Sequence, residues 1–243
     1  MSNWKKFVFA TDIHGDHQDV SANKAFFKFV DEFKPNIRIC GGDLMDIASY
    51  RKGASDEEKR QTLRYDVEAG REWLLKFKPH HFLRGNHDER LWRKAEENSG
   101  PSSDYAKGCV ELITNECRKL KCQIYPYTVK EGMVRIGNLK CLHGFASGMG
   151  SATKMAHAYG SCLFGHGHGI MMASVAGYEE RTARMVGCLC KLDLKYAETN
   201  LATLLWRHGW SYGMVNTITG NYEAFQAQEI GGKFVTLTGM REL

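Results

Sequence analysis

No window of the 243-residue chain holds the ~18 consecutive apolar residues that a membrane-spanning helix requires. The start, "MSNWKKFVFATD", has only a short apolar run before charge resumes, which does not fit a secretory signal peptide. There is no low-complexity linker and no internal repeat, so residues 1–243 are expected to fold as one domain. CxxC pairs are missing; Cys188 and Cys190 form only a CxC. Several of the eight cysteines lie in apolar, strand-like runs, "IRICGGD", "LKCLHG" and "SCLFGHG". They read as reduced, buried small hydrophobes of a cytoplasmic protein. A pure nucleic-acid-binding module should show dense basic clusters interleaved with aromatics, and none stands out. The net charge of +5 is too mild to argue for nucleic acid unaided, yet it suits any anionic substrate.

What is present is an ordinary soluble composition, 43% hydrophobic and 25% charged, enough to build a sizeable core. "WKKFVFATDIHGD" reads as a short buried strand ending in a polar turn. "DVSANKAFFKFVDEFKP" has apolar residues at helical spacing and stops at Pro35. "NIRICGGD" is a second strand, "SDEEKRQTLRYDVEAGREWLLKFK" a long amphipathic helix with Ser55 as N-cap, and "HHFLRGNHDE" a third strand and turn. Helical patterns follow in "ERLWRKAEEN" and "SDYAKGCVELITNECRKLK". From about residue 122 short strands dominate, with a small helix at "SATKMAHAYG" and hairpins in the tail; "NTITGNYEAF" carries a Gly-Asn turn between alternating runs. This order predicts an α/β fold of two sheets packed face to face with helices outside.

The strand ends share a pattern. The first ends at Asp12 and His14, the second at Asp43 and Asp46, and the third at Asn86, His87 and Asp88. A later one ends at His143, and another at "FGHGHG" with His166 and His168. Ligands in open α/β sheets bind beyond the carboxyl ends of the strands, so these turns place metal-ligating residue types along one rim. Asp12, His14, Asp43, Asn86, His143, His166 and His168 are seven donors, more than the roughly four that one tetrahedral zinc takes. They suit two ions sharing a carboxylate. Mixed imidazole and carboxylate ligation fits Mn, Fe, Zn or Ni better than Ca or Mg, with manganese favoured. The glycines around His166 and His168 are expected to let the chain curl so that both rings reach the ions.

The ordered series Asp12-x-His14, Gly42-Asp43-x-x-Asp46, Gly85-Asn86-His87-Asp88, His143 and Gly165-His166-x-His168 resembles the calcineurin-like metallophosphoesterase superfamily. The resemblance implies a four-layer α/β/β/α sandwich with two mixed β-sheets flanked by helices. It implies that Asp12, His14, Asp43 and His168 hold one divalent ion, and that Asp43, Asn86, His143 and His166 hold the other. His87 would be the catalytic histidine with Asp88 as its hydrogen-bonding partner, and Asp46 would orient a ligand or a loop. A phosphoester would be hydrolysed by attack of metal-bridged hydroxide, with an acid protonating the leaving oxygen.

Departures from the pattern narrow the substrate. Asp46 is followed by Ile47 where the superfamily's protein serine/threonine phosphatases have arginine. His87 stands where one group of small phosphodiesterases has cysteine. The nuclease-like branch shares Gly-Asn-His-Asp and Gly-His-x-His. The tail is similar to those of phage-encoded members, which would work in the host cytoplasm. Together with the basic charge this favours a phosphodiester in a nucleotide or nucleic acid. Phosphomonoester hydrolysis, of a protein or a small molecule, uses the same apparatus and is the alternative; a non-catalytic scaffold of the same fold is disfavoured because every ligand is in place. Arg84, Arg90 and Arg93 flank "GNHD" and are candidates to contact phosphate. His17 and the stretch Ser49–Lys52 are candidates for the rim of the site. His80, His81, His157 and His208 match no motif and read as structural.

Overall fold

Alternate residues of the first strand, β1 (Trp4–Ala10), are buried in two different cores. Val8 and Ala10 pack under helices, whereas Phe7 and Phe9 pack against a second sheet. This follows from the two-residue period of a strand, and it explains why "FVFA" is apolar without a break. The computed structural model describes residues 3–60, 63–97, 99–194, 200–236 and 239–242. After β1 the chain runs through α1 (Val20–Phe33), β2 (Ile37–Cys40), α2 (Asp56–Arg60), α3 (Leu63–Phe77), β3 (His81–Leu83), α4 (Asn86–Glu96), α5 (Gly100–Lys119) and β4 (Gln123–Tyr125). It continues with β5 (Met133–Ile136), β6 (Leu139–Leu142), α6 (Ser151–Tyr159), β7 (Cys162–Phe164), β8 (Ile170–Ser174) and β9 (Thr182–Val186). The tail forms β10 (Gly209–Asn216), β11 (Tyr222–Ile230), β12 (Lys233–Thr236) and β13 (Gly239–Glu242).

One sheet has the order β13-β12-β11-β10-β1-β2-β3-β4 and the other β5-β6-β7-β9-β8. Both are mixed: β1 to β4 run parallel and β10 to β13 antiparallel, and in the second sheet β6, β7 and β9 are parallel. Three apolar layers hold four structural layers together. Phe26, Phe29, Trp73, Phe77 and Ile113 of α1, α3 and α5 pack on the first sheet. Phe7, Phe9, Ile39 and Leu83 meet Cys141, Leu163 and Val186 between the sheets. Ala152, Met155 and Ala156 of α6 cover Phe164 and Met185 on the outer face of the second sheet. The α/β/β/α sandwich expected from the sequence is therefore present.

Local chemistry sets the element ends. The Asp19 side chain accepts from Ala22 N–H at the start of α1, and Lys34 takes the left-handed conformation at its end, just before Pro35. Ser55 and Glu58 form a reciprocal cap: Glu58 N–H donates to Ser55 Oγ at 3.2 Å, and Ser55 N–H donates to Glu58 Oε2 at 2.7 Å. The single long helix expected after Ser55 is described as α2 and α3; residues 61 and 62 between them lie outside the described residues. The tail hairpin closes where the Gly-Asn turn predicts, with Val215 paired to Tyr222. Among the described residues no helix is long and apolar enough to cross a membrane.

Candidate metal centre

The strands that carry motifs run parallel within each sheet, β1 with β2 and β3, and β6 with β7 and β9, so six C-terminal ends converge. Backbone hydrogen bonds lock the first two loops together. Asp12 N–H donates to Gly42 O, Ile13 and His14 N–H to Asp43 O, and Gly15 N–H to Leu44 O, all at 2.9 Å. The second sheet joins through Gly165 N–H donating to His143 O at 2.7 Å. Asp12, His14, Asp43, His166 and His168 all adopt positive φ, between 47° and 69°. Such backbone is costly for residues with a side chain and persists where the surrounding structure over-determines it.

The expectation for "GHGHG" needs correcting here. Gly165, Gly167 and Gly169 do not supply the left-handed turns; the two histidines do. The glycines supply clearance. A Cβ on Gly165 would lie 2.3 Å from both Asp12 Oδ2 and Thr11 Oγ1, and one on Gly167 would lie 2.5 Å from Met185 Cε. The loop packs so close to the turn after β1 and to β9 of its own sheet that only a hydrogen fits.

All seven predicted ligands meet. His14 Nε2 faces His168 Nε2 at 3.1 Å and lies 3.8 Å from Asp43 Oδ2. His168 Nε2 lies 3.2 Å from Asp12 Oδ1. On the other side of Asp43, its Oδ2 is 3.2 Å from His143 Nε2. Asn86 Oδ1 is 3.1 Å from His143 Nε2 and 2.7 Å from His166 Nδ1. Side-chain donor atoms of Asp43, His143 and His166 lie within 4.8 Å of one another, and so do those of His14, Asp43 and His87. Two groups of imidazoles and carboxylates thus share Asp43, and this mixed N/O chemistry fits divalent transition ions.

The far ring nitrogens are held as metal-ligating histidines require. His14 Nδ1–H donates to Asp46 Oδ1 at 2.8 Å, and His143 Nδ1–H donates to Gly41 O at 2.9 Å. Asp46 therefore fixes the orientation of the His14 ring. It also takes the role expected of Asp88: His87 Nδ1 lies 2.8 Å from Asp46 Oδ1 and 2.9 Å from Asp46 O. The Asp88 carboxylate is engaged elsewhere. It accepts from the N–H groups of Gly85 at 2.9 Å, Met45 at 3.0 Å and Leu44 at 3.3 Å. The reason is the position of the helix. α4 begins at Asn86, earlier than the "ERLWRK" pattern shows, and Asp88 is its third residue, where a carboxylate folds back on the first free N–H groups.

Electrostatics follow from these contacts. Burial works against the charge on Asp43, but His143 and His87 beside it hold its carboxyl well below the usual range. Burial likewise opposes ionisation of Asp46, and hydrogen bonds from His14 and His87 outweigh it. Burial disfavours imidazolium at His143 and His168, yet Asp43 beside the first and Asp12 beside the second lift each to about 9. Burial, reinforced by His143, takes His166 down to about 4. His87 is raised because Asp43 and Asp46 overcome its burial. Asp88 is pushed up to about 7 by burial and the nearby Asp43 charge.

The flanking residues sort by geometry. Arg90 Nη1 donates to Asp46 O at 3.0 Å and lies 3.1 Å from His87 Nδ1, so it braces the histidine. Arg84 stacks over Trp92, and Arg93 reaches Glu89 from an exposed position. His17, Arg51 and Lys191 line a cavity of about 610 Å³ that opens beside Asp46.

Two site residues were not foreseen. Asp66 of α3, buried, accepts from Asp46 N–H at 3.0 Å and Ile47 N–H at 2.7 Å. Its signal was an acid in register with the apolar face of a helix, alongside Val67, Gly70, Trp73 and Phe77. The other is Cys190, which follows β9, the sixth converging strand. Buried as expected, Cys190 is nonetheless more than a small hydrophobe: its Sγ lies 3.7 Å from His168 Nδ1, and it stands in one group with His14 and His168. The signal was "VGCLC", a strand followed by glycine and a donor residue, as at the other rim turns.

No curated protein matches the chain. Among solved structures it is similar to an archaeal phosphodiesterase, at 13% identity over 91% of this chain and 99% of that one, with a TM-score of 0.44. It is also similar to the phosphoesterase Yfce of E. coli, at 16% identity over 91% of this chain and 97% of that one, with a TM-score of 0.39. The profile of the calcineurin-like phosphoesterases matches residues 5–168, the same span that carries the converging ligands. The chain belongs to the calcineurin-like phosphoesterase family and is a metal-dependent phosphoester hydrolase.

Proposed function

We propose that the protein is a dinuclear phosphodiesterase acting on a nucleotide or nucleic acid. Asp12, His14, Asp43 and His168 hold one divalent ion; Asp43, Asn86, His143 and His166 hold the other. The observation that carries this reading is the central place of Asp43, whose Oδ2 lies 3.2 Å from His143 Nε2 and 3.8 Å from His14 Nε2. When bound, the ions would supply Lewis-acid stabilisation of phosphoryl charge and lower the pKa of water.

The chain's own residues do the rest. His87 Nδ1 is engaged by Asp46, which leaves Nε2 toward the centre, 3.9 Å from Asp43 Oδ2. From there it donates a proton to the leaving oxygen, and the flanking carboxylates favour the imidazolium that this needs. The cavity beside Asp46, with Arg51 and Lys191 on its walls, has room for the second substituent of a diester. A net charge of +5 favours approach of an anion.

Two experiments test the reading. Metal-stripped protein, with Mn, Ni, Zn or Mg restored, is assayed on matched aryl phosphate monoesters and diesters. Higher kcat/KM for the diester, with manganese most effective, is expected; a clear monoester preference would sink the substrate assignment. In Asp43→Asn both ions should be lost or weakly held, because one carboxylate serves both. Retention of two full equivalents at wild-type affinity would show that Asp43 does not bridge.

A further inference from the structure

Four imidazoles in the centre have one nitrogen turned away from it, and the partner of that nitrogen differs. His14 and His87 use the Asp46 carboxylate, and His143 uses the Gly41 carbonyl. His168 Nδ1 meets a thiol, Cys190 Sγ at 3.7 Å. Among the described residues no carboxylate or carbonyl takes that place for His168.

The thiol is held there by more than one element. Leu189 N–H donates to Asp12 O at 3.1 Å, and Gln18 pairs with Cys190 as an isolated antiparallel bridge. His208 Nε2–H donates to Cys190 O at 2.9 Å, so this histidine, which matched no motif, fixes the backbone of the thiol. Trp206 packs against the imidazole, its ring centroid 4.3 Å from that of His168, and His168 O accepts from Arg207 N–H at 2.9 Å. The ring thus contacts both an indole and a thiol, with Nε2 toward His14 and Asp12.

We infer that Cys190 is a positioning residue for the metal centre: its thiol fixes the ring orientation of His168 and so sets the affinity of the ion held by His14 and His168, without ligating that ion. The inference rests on the reading of His14 and His168 as ligands. Outer partners of ligating histidines have a measurable effect, typically about 10–100-fold in metal affinity, and the effect is local. The site built on His143 and His166 lies beyond Asp43 and should not feel it.

Isothermal titration of the metal-stripped full-length protein with Mn²⁺ tests this. Wild-type protein should bind two ions. Cys190→Ala should weaken one of them by about 10–100-fold and leave the other unchanged. Cys190→Ser, which still offers a hydroxyl to Nδ1, should recover most of the loss. Cys190→Val keeps the apolar volume without the thiol and repeats the comparison without a cavity. Unchanged affinity at both sites in the Ala and Val variants would overturn the assignment, as would equal weakening at both sites. The Co²⁺-loaded wild-type protein should show no sulfur-to-cobalt charge-transfer band. Such a band, lost in Cys190→Ala, would make Cys190 a direct ligand and overturn the positioning role. Failure of wild-type protein to bind any metal would instead remove the metal reading itself, and this inference with it.

Discussion

Asp46 carries two duties with one carboxylate, since both His14 Nδ1 and His87 Nδ1 lie 2.8 Å from its Oδ1. The consequences of substitution should differ among neighbouring residues. His87→Gln should lower kcat by about 10²–10⁴-fold, the usual contribution of a general acid, while both ions remain bound. The loss should shrink for a good leaving group such as nitrophenolate. Asp46→Asn should lower kcat as well and also weaken the ion held by His14. Asp88→Asn should leave the leaving-group dependence intact and mainly lower stability, because its carboxylate serves backbone N–H groups. Metal analysis together with kcat on two leaving groups separates these outcomes. Loss of a metal from His87→Gln would make it a ligand.

The pH dependence also belongs to single residues. His143 and His168 are raised to about 9 in the metal-free protein, where Asp43 and Asp12 overcome their burial. A raised imidazole contributes stability that is fully present below its unfolded value of about 6.5 and is lost as pH rises through the folded value. Metal-free protein should therefore lose stability between about pH 6.5 and 9. Metal binding needs both rings neutral, so the same rise in pH removes competing protons and strengthens it. The increase in Tm produced by Mn²⁺ should be larger at pH 9 than at pH 6.5. An increase independent of pH would show that these two rings do not exchange protons for metal.

At the scale of elements, the site is the product of loops pressed together by what lies behind them. α3 reaches the second rim loop through Asp66, which satisfies the N–H groups of Asp46 and Ile47, the latter at a φ of 50°. It also presses on the first loop: a Cβ on Gly15 would lie 1.8 Å from Asp66 Oδ1. Asp66→Ala would strand two buried donors, at about 1–3 kcal/mol each, and loosen Asp46. A loss of roughly 2–6 kcal/mol in urea denaturation is expected, with a fall in kcat larger than the change in KM. A kcat equal to wild type would show that Asp46 keeps its place without α3. Burial lifts the Asp66 carboxyl to about 7, and a raised acid favours the folded state less as pH climbs from about 4. Part of this stabilisation is therefore already spent at neutral pH.

For the molecule as a whole, the layer between the sheets joins the two halves of the centre, since Asp12, Asp43 and Asn86 come from one sheet and His143, His166 and His168 from the other. Phe7 is fully buried in that layer, at the middle of β1 and short of its end at the site. Phe7→Ala should cost about 3–5 kcal/mol with little change in metal affinity of the folded protein. A markedly weaker ion in the folded variant would show that inter-sheet packing tunes the site directly. By itself the sequence determined which candidate ligands gather at the rim and the order of strands and helices, because metal-ligating residue types, glycines and strand period are local properties written into short stretches. It also determined the layering, since "FVFA" is apolar on both faces. Only the tertiary structure decided that the tail strands β10 to β13 extend the first sheet beside β1, that Asp46 and not Asp88 holds His87, and that Asp66 and Cys190 reach the centre. Each of these depends on which segments, remote in the chain, are brought within hydrogen-bonding distance, and neither spacing nor periodicity encodes that.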